Sequence, residues 1–223
     1  MKRLLLSSIC GMSSVGPGLE LSWTRSKLCS KLIFYSTSRY PHCQSIRFWK
    51  TYCEDEGVRA ICQFLEIGKP VLFLELLDNK ITSLGCEFIS RSLHPLMKPT
   101  IQILKLDHNE FGSKGVIELS KSLAINPVLR ILSLTYCGID VKASQALFEI
   151  LIYTRSALEE VNLSGNMLGG VGVCKVLMGA SVAKRGKLQQ LQKLPKLPGF
   201  LRNQANLRGG WSRWGIEEHG GGG

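Results

Sequence analysis

The chain has 223 residues, of which 44% are hydrophobic, 20% charged and 8% aromatic, proportions that fit one globular domain with tails and exclude collagen-like, mucin-like and coiled-coil sequences. The longest apolar runs, Leu4-Leu5-Leu6 and the stretch around Val71 to Leu77, fall far short of the roughly 18 to 20 residues of a membrane helix, so a soluble protein is expected. The net charge of +11 is confined to the ends: residues 1–50 carry eight Lys or Arg against one acid, residues 51–182 twelve against fourteen, and residues 183–223 eight against two. The middle therefore lacks the basic footprint that phosphate binding needs.

Residues 1–42 form a basic, Ser-rich tail with no sustained period of 2 or 3.6, and a disordered arm is predicted there. Its acid-poor, basic composition also fits a mitochondrial or plastid presequence, and composition alone leaves both readings open. A secretory signal would need a longer apolar stretch than Leu4 to Cys10. Eight cysteines (Cys10, Cys29, Cys43, Cys53, Cys62, Cys86, Cys137 and Cys174) are scattered without a C-x-x-C pair. Most of the central ones fall at apolar positions of a periodic pattern, where a free thiol packs as a small hydrophobe. A reducing compartment, the cytoplasm, is the expectation.

From residue 43 to 182 the chain repeats itself. Val71-x-x-Leu74-x-Leu76-x-x-Asn79-x-Ile81 recurs as Ile101-x-x-Leu104-x-Leu106-x-x-Asn109-x-Phe111, as Leu129-x-x-Leu132-x-Leu134-x-x-Cys137-x-Ile139, and as Leu158-x-x-Val161-x-Leu163-x-x-Asn166-x-Leu168. A fifth, degenerate copy, Cys43-x-x-Ile46-x-Phe48-x-x-Thr51-x-Cys53, precedes them. The Asn or Cys positions step by 30, 28 and 29 residues, and six residues after each one Gly85, Gly115, Ala143 and Gly172 open amphipathic runs. Alternating Leu residues specify a short strand with one buried face. The Asn or Cys that follows sits where a side-chain donor can reach backbone carbonyls that stacking would bury unpaired. Cys137 is the weaker donor and should cost some stability. Each unit stays incomplete until a neighbour covers it.

These residues resemble the leucine-rich repeat, and the 28 to 30 residue period with a full helix after the Asn resembles its ribonuclease-inhibitor-like subclass. That subclass includes NOD-like receptor and Ran GTPase-activating-protein repeats. The resemblance implies an α/β solenoid with parallel strands on the concave side and helices on the convex side, which binds protein partners. A further repeat should begin near Lys187, but Lys193 takes an inward Leu slot and Lys196-Leu197-Pro198 take the Asn turn. Residues 183–223, basic and containing Gly and Pro, are therefore expected to be disordered. With no polar capping repeat visible, a fragment or variant of a longer repeat protein is expected.

Between the buried leucines, side chains alternate outward to the concave face. One row is Phe73, Ile103, Ile131 and Glu160; the next is Glu75, Lys105, Ser133 and Asn162; the third is Leu77, Asp107, Thr135 and Ser164, bordered by Asp78, His108, Tyr136 and Gly165. Phe73, Ile103, Ile131 and Leu77 are expected to form an exposed apolar strip with Tyr136 at its rim, the make-up of a binding hot spot. The partner-binding candidates are thus Phe73, Glu75, Leu77, Ile103, Lys105, Asp107, Ile131, Ser133, Tyr136, Glu160 and Asn162. No catalytic residue is expected, because adjacent Asp107 and His108 point to different sides and cannot form an oriented acid–base pair. No metal or cofactor is expected, since His42, His94, His108 and His219 lack ligand spacing, and Gly169-Gly170-Val171-Gly172 lacks the Lys-Ser/Thr of a phosphate loop. Trp211, Arg213 and Trp214 could stack on single-stranded RNA, though nucleic acid is not expected at the repeats. The reading is a non-catalytic protein-interaction scaffold binding through its concave face. The alternative is a GTPase activator of the Ran type, which rests on subclass membership alone.

Overall fold

The computed structural model describes residues 12–13, 16–22, 43–68, 70–153 and 156–191, with side chains from 43 to 183. Strands and helices alternate: β1 (Met12–Ser13), β2 (Gly16–Ser22), β3 (Ser45–Trp49), α1 (Glu54–Glu66), β4 (Phe73–Leu77), α2 (Ser83–Ser92), β5 (Ile103–Lys105), α3 (Gly112–Leu123), β6 (Ile131–Ser133), α4 (Ser144–Ile152), β7 (Glu160–Asn162) and α5 (Gly169–Leu191). The sheet order is β1 to β7 in sequence, parallel from β2 onward, with β1 antiparallel at the edge. Register follows the repeat: Ile46 lies beside Leu74, Leu74 beside Leu104, Leu104 beside Leu132 and Leu132 beside Val161. From β3 to β7, strands laid down in chain order with a helical crossover between each pair make an open solenoid.

One side of each strand forms the core. Ile46, Phe48, Leu74, Leu76, Leu104, Leu106, Leu132 and Leu134 are fully enclosed, and Val58, Ile61, Ile89, Val116, Leu119 and Leu147 from the helices close over them. Five buried cysteines are free and belong to this layer. Burial pushes the Cys62 and Cys137 thiols up to about 12, so they stay protonated and pack as apolar groups.

The Asn slot behaves as its chemistry requires. Asn109 Nδ2 donates to the carbonyls of Leu76 (2.6 Å) and Leu106 (2.8 Å), while its Oδ1 accepts from the N–H groups of Asn79 (2.9 Å) and Ile81 (3.1 Å). Asn79 does the same one repeat earlier, donating to Phe48 and Leu77 and accepting from Thr51. Asn166 does it two repeats later, on Leu134, Leu163, Cys137 and Ile139. Cys137 keeps the donor half through Sγ to Leu106 and Thr135 (3.4 and 3.2 Å), but a thiol has no amide oxygen to offer Asn109.

The helices are stapled between repeats as well. The Asp55 carboxylate accepts from Thr82 N, Thr82 Oγ1 and Gly85 N at 2.9, 2.6 and 2.9 Å. A Cβ on Gly85 would lie 2.5 Å from Asp55 Oδ1, so close approach explains that glycine. Ser113 and Asp140 form the later counterpart. The Ser113 hydroxyl and the Lys142 N–H hold the Asp140 carboxyl below its ordinary value.

Two features depart from the sequence reading. The tail expected to lack structure contributes β1 and β2, with Leu19 opposite Ile46 and Leu21 opposite Phe48. Helix α5 runs past residue 182 to Leu191. The remainder of both tails, including His42, Trp211, Arg213, Trp214 and His219, lies outside the described residues.

Candidate functional site

The outward sides of the same strands build the concave face. The rows line up as the repeat dictates: Ser45, Phe73, Ile103, Ile131 and Glu160 in one, Arg47, Glu75, Lys105, Ser133 and Asn162 in the next. The structure thus brings the expected candidates onto one surface, but their exposure differs from expectation. Phe73 is only 6% exposed. The Arg47 guanidinium lies over its ring at 4.5 Å from the centroid, and Lys105 Nζ approaches to 5.8 Å. A phenyl face attracts cations, and the two long side chains cover the ring, with Arg47 Nε itself buried against it. The expected strip of exposed apolar groups is therefore half-buried Ile103, Ile131 and Leu77 beside a cation-capped Phe73.

Asp107 and Ser133 are also drawn in. Ser133 Oγ and the Thr135 N–H both donate to Asp107 Oδ1 at 2.7 Å, and both side chains are buried. This occupies Asp107 Oδ1, while the adjacent His108 is exposed and its ring lies against Tyr136. Glu75, Lys105 and Asn162 are half-buried and Glu160 is exposed.

The rim is the more open surface. The residue leaving each strand adopts a left-handed conformation: Lys50 (φ 52°), Asp78 (51°), His108 (58°), Tyr136 (52°) and Gly165 (70°). Their side chains meet along the row. Lys50 pairs with Asp78 at 3.5 Å, and His108 stacks on Tyr136 with centroids 4.9 Å apart and planes 8° from parallel. Tyr136 in turn lies over Gly165, where an added Cβ would come within 2.5 Å of the ring. Tyr136 is 53% exposed and Trp49, on β3, 47%. Arg47, Trp49 and Lys50 were missed because the degenerate repeat carrying them was not extended to its outward positions. The spacing Arg47, Glu75, Lys105 on the 28 to 30 residue period was the available signal.

Chemically, this face offers shape, aromatic surface and charge. Among the described residues no three His, Cys, Asp or Glu side chains are grouped to hold a metal ion, and none of the helices is long and apolar enough to cross a membrane. The run Gly169-Gly170-Val171-Gly172 starts α5, as expected of glycines at the entry to a repeat's helix.

Comparison with known proteins agrees with this architecture. The family model for the leucine-rich repeat matches residues 98–120. Mouse ribonuclease inhibitor (Mus musculus) is 32% identical over 126 residues, 56% of this chain and 27% of that protein. The pig protein (Sus scrofa) is 30% identical over 125 residues, 55% and 27%. Human NACHT, LRR and PYD domains-containing protein 13 (Homo sapiens) is 32% identical over 145 residues, 64% of this chain and 13% of that protein. The chain spans about a quarter or less of the length of these curated relatives. Among solved structures, Leiomodin-1 Actin-Binding Site 2 superposes with a TM-score of 0.54 at 19% identity, covering 73% of this chain and 91% of that one, which speaks to the fold alone. The stacked strands, the Asn ladder and the matched repeat make this a leucine-rich-repeat array, similar over part of its length to ribonuclease inhibitors.

Proposed function

We propose that the chain is a non-catalytic protein-interaction scaffold that engages a protein partner through its concave face and the rim beside it. The observation that carries this reading is the contrast within each strand: the inward residues repeat almost unchanged, whereas the outward ones differ from repeat to repeat. Arg47 and Lys105 over Phe73, half-buried Ile103 and Ile131, and exposed Trp49 and Tyr136 give one surface with apolar anchors and charged surroundings. Such a surface suits a partner that brings aliphatic side chains and hydrogen-bonding groups. The relatives' names support binding rather than chemistry, and buried free thiols suit a reducing compartment such as the cytoplasm.

The test compares two surface variants of the full chain as affinity baits. Lys105→Glu with Tyr136→Ala alters the concave side; Arg91→Glu with Ile117→Glu alters the helical side. A partner captured by the unaltered chain should be lost with the first and kept with the second. Loss with the helical variant and retention with the concave one would reverse the assignment.

A further inference from the structure

Charge is unevenly spread along the concave face. At the β3 to β5 end, Arg47 and Lys105 lean onto the Phe73 ring, at 4.5 and 5.8 Å from its centroid. Glu75 lies between them in the row, yet among the described residues neither cation makes an ion pair. A ring attracts a cation but offers no lone pair to its N–H groups. The half-buried Arg47 is accordingly left without a hydrogen bond at Nε, the one buried side-chain N or O atom among the described residues that has no partner.

The other acids of the face are engaged or distant. Asp78 pairs with Lys50, Asp107 Oδ1 accepts from Ser133 and Thr135, and exposed Glu160 stands at the far end on β7. Between the cations and Glu160, Ile103 and Ile131 continue the Phe73 row as half-buried apolar sites. The face thus runs from unpaired positive charge, through aliphatic surface, to negative charge. The chain's own tails are poorly matched to the positive end, since residues 1–42 carry six Lys or Arg against one acid and residues 183–223 eight against two.

Resting on the concave-face reading above, we infer that the partner docks through an acidic segment: an Asp or Glu side chain seats on Arg47 and Lys105 above Phe73, and an aliphatic side chain beside it seats on Ile103 and Ile131. A carboxylate takes parallel N–H bonds from a guanidinium fork, and such charge-assisted bonds are the strong ones. Lys105 supplies a second, point-like charge to the same group. Both cations are already drawn to one ring, so little side-chain order remains to be lost when the carboxylate arrives. The charge gradient also sets direction, with the acid of the partner toward β3 and away from Glu160.

A displayed library of random peptides, panned against the full chain, tests it. Enriched peptides should carry Asp or Glu close to Leu, Ile or Val, and their binding should weaken as salt is raised. Arg47→Gln and Lys105→Gln, checked for an unchanged melt by circular dichroism, should each weaken a synthesised winner by about tenfold or more. Arg47→Lys, which keeps the charge and loses the fork, should fall between. A charge swap separates direct contact from collateral damage: Lys105→Glu should prefer the winner with its acid replaced by Lys over the winner itself. Glu20→Gln, opposite Arg47 in the β2 to β3 register, and Glu217→Gln with Glu218→Gln should leave binding unchanged; tighter binding with either would make the chain its own occupant and overturn the inference. So would enrichment of basic or acid-free peptides, no enrichment at all, a failed charge swap, or acidic winners indifferent to Arg47 and Lys105. The two readings fail separately: acid-free winners lost with Tyr136→Ala sink only the acidic partner, whereas winners lost only with Arg91→Glu and Ile117→Glu sink the concave face as well.

Discussion

The two sides of each strand obey different rules. Inward positions hold Leu, Ile, Val or Phe in each described repeat and pair in unbroken register from β3 to β7. Outward positions run through Arg47, Glu75, Lys105, Ser133 and Asn162 with no common chemistry. The inward side is held constant because every residue there touches a copy of itself one repeat away, so a change is felt on both flanks. The outward side has no such copy to match, even where Phe73, Asp107 and Ser133 are buried by their neighbours, and is free to specialise.

The sharpest way to break that contrast is to treat an inward site as an outward one. Leu106→Asp, at a fully enclosed position, removes packing and buries a charge, and should cost upwards of about 4 kcal/mol. Loss of the cooperative transition in chemical denaturation is the expected readout. Asn109→Ala comes next. It strips the Leu76 and Leu106 carbonyls of their donor and the Asn79 and Ile81 amides of their acceptor, a loss of about 3 kcal/mol by denaturant titration.

Phe73→Ala sharpens the contrast by testing an outward residue that is buried. It should cost roughly 2 kcal/mol by thermal melting, whereas a truly exposed strip residue would cost almost nothing. The smallest effect is a gain. Cys137→Asn restores the amide oxygen missing from the ladder and should raise stability by about 1 kcal/mol, provided the new side chain reproduces the bonds of Asn109 and Asn166; an unchanged or lower midpoint would show that the slot has adapted to sulfur.

The solenoid and its register were legible in the sequence because they rest on spacing, and spacing survives substitution. Even the degenerate copy at Cys43 to Cys53 formed both its strand and its helix. The missed strand β2 was legible too: Leu19-x-Leu21-x-x-Thr24 repeats Ile46-x-Phe48-x-x-Thr51, but the surrounding Ser, Gly and basic residues masked a two-residue apolar alternation. The candidate face was legible as a set of rows and not as exposures. Whether Phe73 lies open or under Arg47 depends on a side chain of the preceding strand, 26 residues earlier in the chain, and a period cannot report where a long side chain comes to rest. The same holds for Asp107, whose turn inward is set by Ser133 and Thr135 of the following repeat.

The left-handed residues at 50, 78, 108, 136 and 165 carry a constraint of their own for protein engineering. Val, Ile and Thr resist that backbone geometry, whereas basic, acidic, aromatic and glycine residues already occupy it here. A randomised library at codons 50, 78, 108 and 136, with β-branched amino acids left out and Gly165 kept because Tyr136 lies over it, would diversify a contiguous edge of the molecule without disturbing any enclosed leucine.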